Sequence, residues 1–447
     1  MGVRIGLAAL TLAVVCAAPA RAVETGINET LGHTKPLPRT AGELGADWVR
    51  MWALWQDMEP APGDYNQHLI SVMNGRIAAL QARGVKVLVV VHRAPAWASS
   101  GGTPSNPAAF GRFMGQVAQR VPGADAWELW NEPDSAQFWG GAPDPAAYAA
   151  HLRAAYPAIK AVQPSDIVVT GGMVGNNMDF LAGLYANGAQ GSFDAVGVHT
   201  DTACLTSGPD AYYRDERGRV GRYTFSAYRE VHAVMTDHGD GAKPVWMTEL
   251  GWNTQRGRCN VGEKAGKKAL GVSPRRQARF LRAAYRCLAA DPFVGVALWF
   301  GLQDIKSTRH ARGFGLYRRS GKAKPAARVF RRLERGIRPR GGCGGHVDRT
   351  APTISVRSPL EGARFRDKLS VRVRASDNPG GSGIGRISMA LDGEHVRSWG
   401  GSGGSIAPWW GSADWRPGIH TLTFSVRDRA MNPATVSVRV EKLRRRG

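Results

Sequence analysis

The sequence predicts an α/β fold, a (β/α)8 barrel of parallel strands, followed by a small all-β module. Three observations carry this. Strand-like and helix-like patterns alternate through the first three quarters of the 447 residues, as a parallel sheet closed by helices requires. Beyond about residue 350 the helical period disappears, and apolar and polar residues alternate over short runs between turn residues, as in half-buried antiparallel strands. The length suits a barrel of about 250 residues or more with a module of about 100.

The chain opens with Met1-Gly2-Val3-Arg4, an apolar run over 5–18 and Ala20-Arg21-Ala22, which reads as a secretory signal cleaved after residue 22. Cys16 in that run follows the bulky Val15, which argues against a lipoprotein site. No later stretch is apolar for long enough to cross a membrane. Strand one is expected over 25–28, and a short helix over 40–44 leads to strand two at 47–53. A helix over 67–83 precedes strand three at 85–92, which is nearly continuous Val and Leu, as a strand buried on both faces should be, and which ends in His92. Helix 107–120 leads to strand four at 126–130, and helix 145–162 to strand five at 166–171. Helix 179–186 precedes strand six at 193–199, ending in His199. The segment over 200–223 is too long for a simple connection and carries Tyr212 and Tyr213, so a lid or substrate wall is expected there. Helix 226–238, strand seven at 244–249, helix 274–290 behind a Ser273 cap, strand eight at 294–300 and helix 324–335 complete eight units.

Two of these strands end in a glutamate. Strand four runs into Trp127-Glu128-Leu129-Trp130-Asn131-Glu132-Pro133-Asp134, where proline denies the sheet a donor and turns the chain outward. Strand seven runs through Val245-Trp246-Met247-Thr248-Glu249-Leu250-Gly251-Trp252. The C-terminal ends of barrel strands form the catalytic face, and a carboxyl pair there is what glycoside hydrolysis uses. That chemistry needs no cofactor, and no metal-ligand cluster stands out.

Removing the signal leaves Cys204, Cys259, Cys287 and Cys343, an even set for an oxidising compartment, with three possible connectivities. Cys204 and Cys259 both fall just after predicted strands on one barrel face, while Cys287 lies on a late helix and Cys343 beyond the last one. The expected pairs are therefore 204 with 259 and 287 with 343, against buried free thiols as the alternative. The formal charge of +23 gathers on outer helices (Arg275, Arg276, Arg279, Arg282; Arg328, Arg331, Arg332, Arg335) and in the tail Arg444-Arg445-Arg446. Such a field attracts polyanions, but these clusters sit on outer helices far from the strand-end face, which favours a solvated surface, and no nucleic-acid-binding motif accompanies them.

Asn131-Glu132-Pro133 and Thr248-Glu249-Leu250-Gly251-Trp252 resemble the clan-A retaining glycoside hydrolases, over roughly residues 24–335. Arg50-Met51-Trp52, Glu59-Pro60, Gly63-Asp64-Tyr65 and Ala94-Pro95-Ala96-Trp97 look most like the branch holding β-xylosidases and bacterial exopolysaccharide hydrolases. The resemblance implies Glu132 as acid/base and Glu249 as nucleophile. It implies Asn131 as the amide on the sugar 2-hydroxyl, Arg50 as the cation holding the nucleophile, and Trp299 as the indole floor under the sugar, with barrel packing as the alternative for Trp299. His92 and His199 would bind hydroxyls or position Glu249, with buried structural histidines as the alternative, and Trp52, Trp55 and Trp97 would line the cleft or pack in the core. One departure stands out: many relatives follow the strand-six histidine with Pro-Tyr, whereas this chain has His199-Thr200-Asp201.

A linker rich in Gly, Pro and Arg separates the catalytic domain, placed at 23–338, from a module at 350–447, with 339–349 between them. The module's strands are expected at 350–356, 369–375, 387–391, 420–426 and 435–440. It resembles the immunoglobulin-like modules of exported bacterial enzymes, with Trp409, Trp410 and Trp415 as core or as sugar-stacking platforms. These readings imply a secreted monomer acting on a polysaccharide or oligosaccharide, an anionic one if the positive field is used. A catalytically silent carbohydrate-binding or adhesion protein is the rival, though it would have no need of both glutamates.

Overall fold

The computed structural model describes residues 23–29, 35–200, 204–259, 265–306, 313–340, 343–400, 405–407, 409–411 (backbone only) and 414–444. The expected signal over 1–22 and the last two arginines of the tail lie outside the described residues. So do the side chains of Trp409 and Trp410, on which no stacking role can be placed.

Eight parallel strands form one curled sheet: β1 (Glu24–Asn28), β2 (Trp48–Leu54), β3 (Lys86–His92), β4 (Ala126–Leu129), β5 (Ile167–Thr170), β6 (Val196–His199), β7 (Val245–Leu250) and β8 (Val294–Trp299). They run in the order β5-β4-β3-β2-β1-β8-β7-β6, and the far edge of β6 pairs with Met173–Val174. Those two residues follow β5 almost directly, so the chain leaving β5 closes the ring. The helices are α1 (Leu37–Leu44), α2 (Gln67–Gln81), α3 (Pro107–Arg120), α4 (Pro145–Val162), α5 (Met178–Ala186), α6 (Tyr228–Asp237), α7 (Pro274–Leu288) and α8 (Pro325–Arg331). Several start where a polar side chain accepts a backbone N–H of the first turn: Asn66, Asn106, Asp144, Asn177 and Ser273. Proline takes the first helical position behind Asn106, Asp144 and Ser273, where no intrahelical donor is needed. The same tolerance lets α1 begin at Leu37, before Pro38 and earlier than expected.

The barrel interior is layered. At its N-terminal end Trp48, Leu88, Ala126, Val169, Ala195, Trp246, Val296 and Leu298 form an apolar plug, with Trp48 edge-on to Trp246 at 5.0 Å between centroids. Side chains alternate along a strand, so two residues further on the same inward direction brings Arg50 after Trp48, Glu128 after Ala126 and Thr248 after Trp246. All three are fully buried. A charged layer therefore sits on an apolar one, directly beneath the strands' C-terminal mouth.

One expectation changes. The single strand at 369–375 is two, Lys368–Ser370 and Arg372–Ser376, which join different sheets; the chain crosses between them at the fully buried Val371. The alternation is unbroken through the switch, so the pattern conceals it. The stretch after α8 is pinned to the barrel, with Arg229 Nη1 donating to the Cys343 and Gly344 carbonyls at 2.9 and 3.1 Å. The loop after β6, from residue 204 onward, is fastened: Arg214 and Val220 form a β-bridge, Val220 N donates to Glu230 at 2.7 Å, and Arg214 Nη2 reaches the Gly380 carbonyl at 3.1 Å. Tyr213 packs over Gly221 within that loop.

The C-terminal residues form a five-stranded sheet and a three-stranded sheet around one apolar core, which includes Val373, Ile387, Leu422 and Phe424. Trp415 meets Phe365 edge-on at 5.5 Å beside that core. Asp348, Asp377 and Asp428 converge in this part, and each carboxylate accepts backbone N–H groups of neighbouring turns.

Cys204 is bonded to Cys259, 55 residues later, and Cys287 to Cys343. The first bridge ties the loop after β6 to the loop after β7. Closing a loop of this length restricts the unfolded chain by about 4 kcal/mol, less any native strain. The double variant Cys204→Ala/Cys259→Ala should accordingly unfold at markedly lower urea concentration than the parent. An unchanged midpoint would show that the bridge contributes nothing.

Candidate active site

Arg50, on β2, is the centre of the charged layer. Its Nε donates to Glu128 Oε2 (2.5 Å), Nη2 to Glu128 Oε1 (3.1 Å) and Asn131 Oδ1 (2.8 Å), and Nη1 to Asn28 Oδ1 (2.9 Å) and Glu249 Oε1 (2.8 Å). All five guanidinium N–H groups are thus engaged, and the head group can occupy one orientation. Asn28 is itself fixed, donating to the Thr248 carbonyl at 2.8 Å.

At the end of β4 the backbone becomes strained. Trp130 and Glu132 both adopt positive φ (77° and 47°), a conformation that non-glycine residues enter at a cost of roughly 1–3 kcal/mol each. The neighbourhood enforces it: Trp130 N donates to the Val91 carbonyl (2.8 Å), its indole to the Phe138 carbonyl (3.1 Å), and Pro133 follows at once. The result lifts the Glu132 carboxyl over the barrel mouth. On the opposite side β7 carries a register shift between Met247 and Glu249, and such bulges re-aim a side chain.

His199 joins the two. Its Nδ1 lies 2.9 Å from Glu132 Oε1 and 3.7 Å from Glu249 Oε2, and carboxylate oxygens of the two glutamates approach within 4.8 Å. The ring is pressed against Gly172, where a Cβ would fall 2.2 Å from Nε2. Burial lowers the proton affinity of His199, with Arg50 adding to the effect and Glu249 and Glu128 opposing it, so the imidazole is neutral near pH 7. Burial likewise raises the Glu249 carboxyl above its ordinary value; His199 and Arg50 pull it down, while Glu132 and Glu128 push it up.

The remaining expected residues divide. Asn131 is buried with its Oδ1 taken by Arg50, so its amide NH2 is the end left to meet a hydroxyl. His92 is also buried, packed against Trp52 (5.0 Å between centroids), and burial with Arg93 and Arg50 nearby lowers its pKa to about 3. Trp299 is a correction: it is 0% exposed, its indole donates to the Phe314 carbonyl at 3.0 Å, and its ring lies in the barrel packing rather than on an open floor. Trp97 is displaced from the cluster as well. It meets Trp55 edge-on and faces a groove of about 580 Å3 shared with Glu59, Tyr65, Arg112 and Arg120, which neither glutamate of the pair lines. Glu59 serves this region structurally, accepting from the Trp55 indole and Gly63 N at 2.8 Å each. Among the described residues no tyrosine hydroxyl bonds Glu249; Thr200 N donates instead to the Glu249 carbonyl at 3.1 Å. Glu128 is the site residue that the sequence reading passed over, although counting by twos from Ala126 aims it at the same interior as Arg50.

Residues 17–265, more than half of the sequence, match the cellulase family, glycosyl hydrolase family 5. The chain belongs to that family. It is a glycosidase. Similar solved structures include a family 39 glycoside hydrolase from the gut symbiont Bacteroides cellulosilyticus (17% identity, 87% of this chain and 79% of that one, TM-score 0.56). GH5_18 from Streptomyces cattleya (16%, 72% and 83%, 0.51) and GH5_18 from Bifidobacterium longum (14%, 74% and 82%, 0.51) are also similar. At such identities the likeness is one of fold. No curated protein matches the sequence.

A glycosidase whose buried Glu249 must be ionised loses activity as pH falls through the raised Glu249 value. The acid limb of kcat/KM should therefore have its midpoint above the ordinary glutamate value of 4.5. A limb at or below that value would contradict the burial argument.

Proposed function

We propose that the chain is an exported, monomeric retaining glycosidase acting on β-linked polysaccharide or oligosaccharide, with Glu132 as acid/base and Glu249 as nucleophile. The observation that carries this is the approach of the two carboxylates to within 4.8 Å, one paired to Arg50 and the other held by His199. Retaining enzymes keep their carboxyls about 5–5.5 Å apart, whereas inverting ones need more room for a water. The Glu249 oxygen attacks the anomeric carbon as the bond to the leaving oxygen breaks, and that oxygen takes the proton of Glu132. Water then attacks the same carbon, gives a proton to Glu132 and releases Glu249. The Asn131 amide, positioned by Arg50, would donate to the 2-hydroxyl, a contact that strengthens in the transition state.

The finer features rest on less. The Arg50-Met51-Trp52 and Ala94-Pro95-Ala96-Trp97 stretches support a place near β-xylosidases and exopolysaccharide hydrolases. Two disulfides and a signal-like start support export, with 23–338 as the catalytic domain and 350–447 as an immunoglobulin-like module. The exposed arginines of α7 and α8 favour an anionic polymer as the substrate.

The two glutamates are separable by experiment, since only a poor leaving group needs the acid. Glu249→Gln should abolish turnover of all substrates. Glu132→Ala should still be glycosylated by an activated aryl β-glycoside, and added azide should restore its turnover by attacking the intermediate without base help. Azide rescue of the 249 variant with retained configuration would reverse the assignment, and products of inverted configuration would end it.

A further inference from the structure

We propose that Glu128 is a positioning residue for this reaction: through His199 it keeps the transferable proton on Glu132, and through Arg50 it limits how strongly the nucleophile is held ionised. The proposal rests on the roles just given to Glu132 and Glu249.

Glu128 is a fully buried carboxylate lying beneath both glutamates of the pair. Its Oε1 accepts from Gly172 N at 2.9 Å and from Arg50 Nη2 at 3.1 Å, and its Oε2 accepts from Arg50 Nε. The charged and titratable groups around this cluster are Arg50 on β2, Glu132 and Asp134 just past β4, Tyr148 on α4, His199 on β6 and Glu249 on β7. Arg50 is the one permanent cation among them, and it divides its donors between Glu128 and Glu249.

Glu128 biases the tautomer of His199 from the Nε2 side. The imidazole Nε2 is buried without a hydrogen-bond partner among the described residues, and it faces Glu128 Oε1 at 4.0 Å. A lone pair on Nε2 would point at an anion, whereas an N–H there is attracted to it. Glu249 Oε2, 3.7 Å from Nδ1, attracts an N–H the other way; with Glu132 protonated and donating to Nδ1 at 2.9 Å, that hydrogen bond and Glu128 together favour the Nε2–H tautomer, with Nδ1 as the acceptor. A carboxyl facing that lone pair is stabilised when it carries the proton. Glu132 is thus loaded as the acid for the first step, and in the second the same lone pair makes its carboxylate a stronger base toward water. The lowered proton affinity of the buried imidazole keeps it from becoming the proton carrier itself.

Removing the Glu128 charge should act on both glutamates in one direction. Arg50 then serves Glu249 alone, so the nucleophile ionises at lower pH; His199 no longer favours Nε2–H, so Glu132 also loses its proton at lower pH. The test is Glu128→Gln, assayed on an aryl β-glycoside that the parent cleaves. Both limbs of the kcat/KM profile should move to lower pH, by about one unit. A purely structural role would lower the rate with both limbs in place, and that result overturns the proposal.

A second measurement does not depend on the folding of Glu128→Gln. In parent enzyme labelled with 15N-histidine, long-range 1H–15N correlations of His199, assigned from their loss in His199→Gln, should show Nε2 protonated and Nδ1 bare. An Nδ1–H tautomer in the parent also overturns the proposal. Because the tautomer is read without turnover, its failure stays distinguishable from a reversal of the two glutamates under azide.

Discussion

The Arg50 guanidinium is the constraint on which the rest of the site depends. A cation with no exposed surface must meet its hydrogen-bonding demand inside the protein, and here Asn28, Glu128, Asn131 and Glu249 meet it from β1, the end of β4 and β7. Leaving such a charge unpaired costs about 3–5 kcal/mol, so the partners are held as firmly as the arginine. One residue thereby sets the orientation of the Glu249 carboxylate, the Asn131 amide and Glu128. The Trp48 and Trp246 plug closes the other end of the barrel, away from this layer.

Strain and burial then divide the work between the two glutamates. The positive φ angles at Trp130 and Glu132 are affordable because the surrounding strands and indoles are tightly packed, and they lift one carboxyl to the mouth. The shift in β7 turns the other toward it. His199, flattened against Gly172, fills the gap with a neutral ring that contacts both. Carboxylate oxygens of the two approach within 4.8 Å, one glutamate from the turn just past β4 and the other from β7.

Much of this is legible in the sequence because a strand end is a local signal. Asn131-Glu132-Pro133 and Thr248-Glu249-Leu250-Gly251 announce themselves by the breakers that follow the glutamates, and the β3 run of Val and Leu declares itself buried. Glu128 is hidden because a strand covered on both faces shows no polar alternation, so an inward carboxylate looks like any strand residue until Arg50 is placed opposite it. Trp299 misleads for a related reason: an indole at a strand end is compatible with the cleft and with the packing, and only the Phe314 carbonyl decides. The helical turns Trp55–Met58 and Ala136–Trp139 are too short to have a period. The meeting of Asp348, Asp377 and Asp428 joins residues far apart in the chain, which no local pattern encodes.

The central claim is that Glu249 forms the covalent bond to sugar. A 2-deoxy-2-fluoro β-glycoside with an activated leaving group slows both displacements but lets the first proceed, so the intermediate accumulates. Intact-protein mass spectrometry should show one added fluorosugar, and peptide mapping should place it on Glu249. A label on Glu132, or complete turnover of the reagent with no adduct and inverted product, would contradict the account.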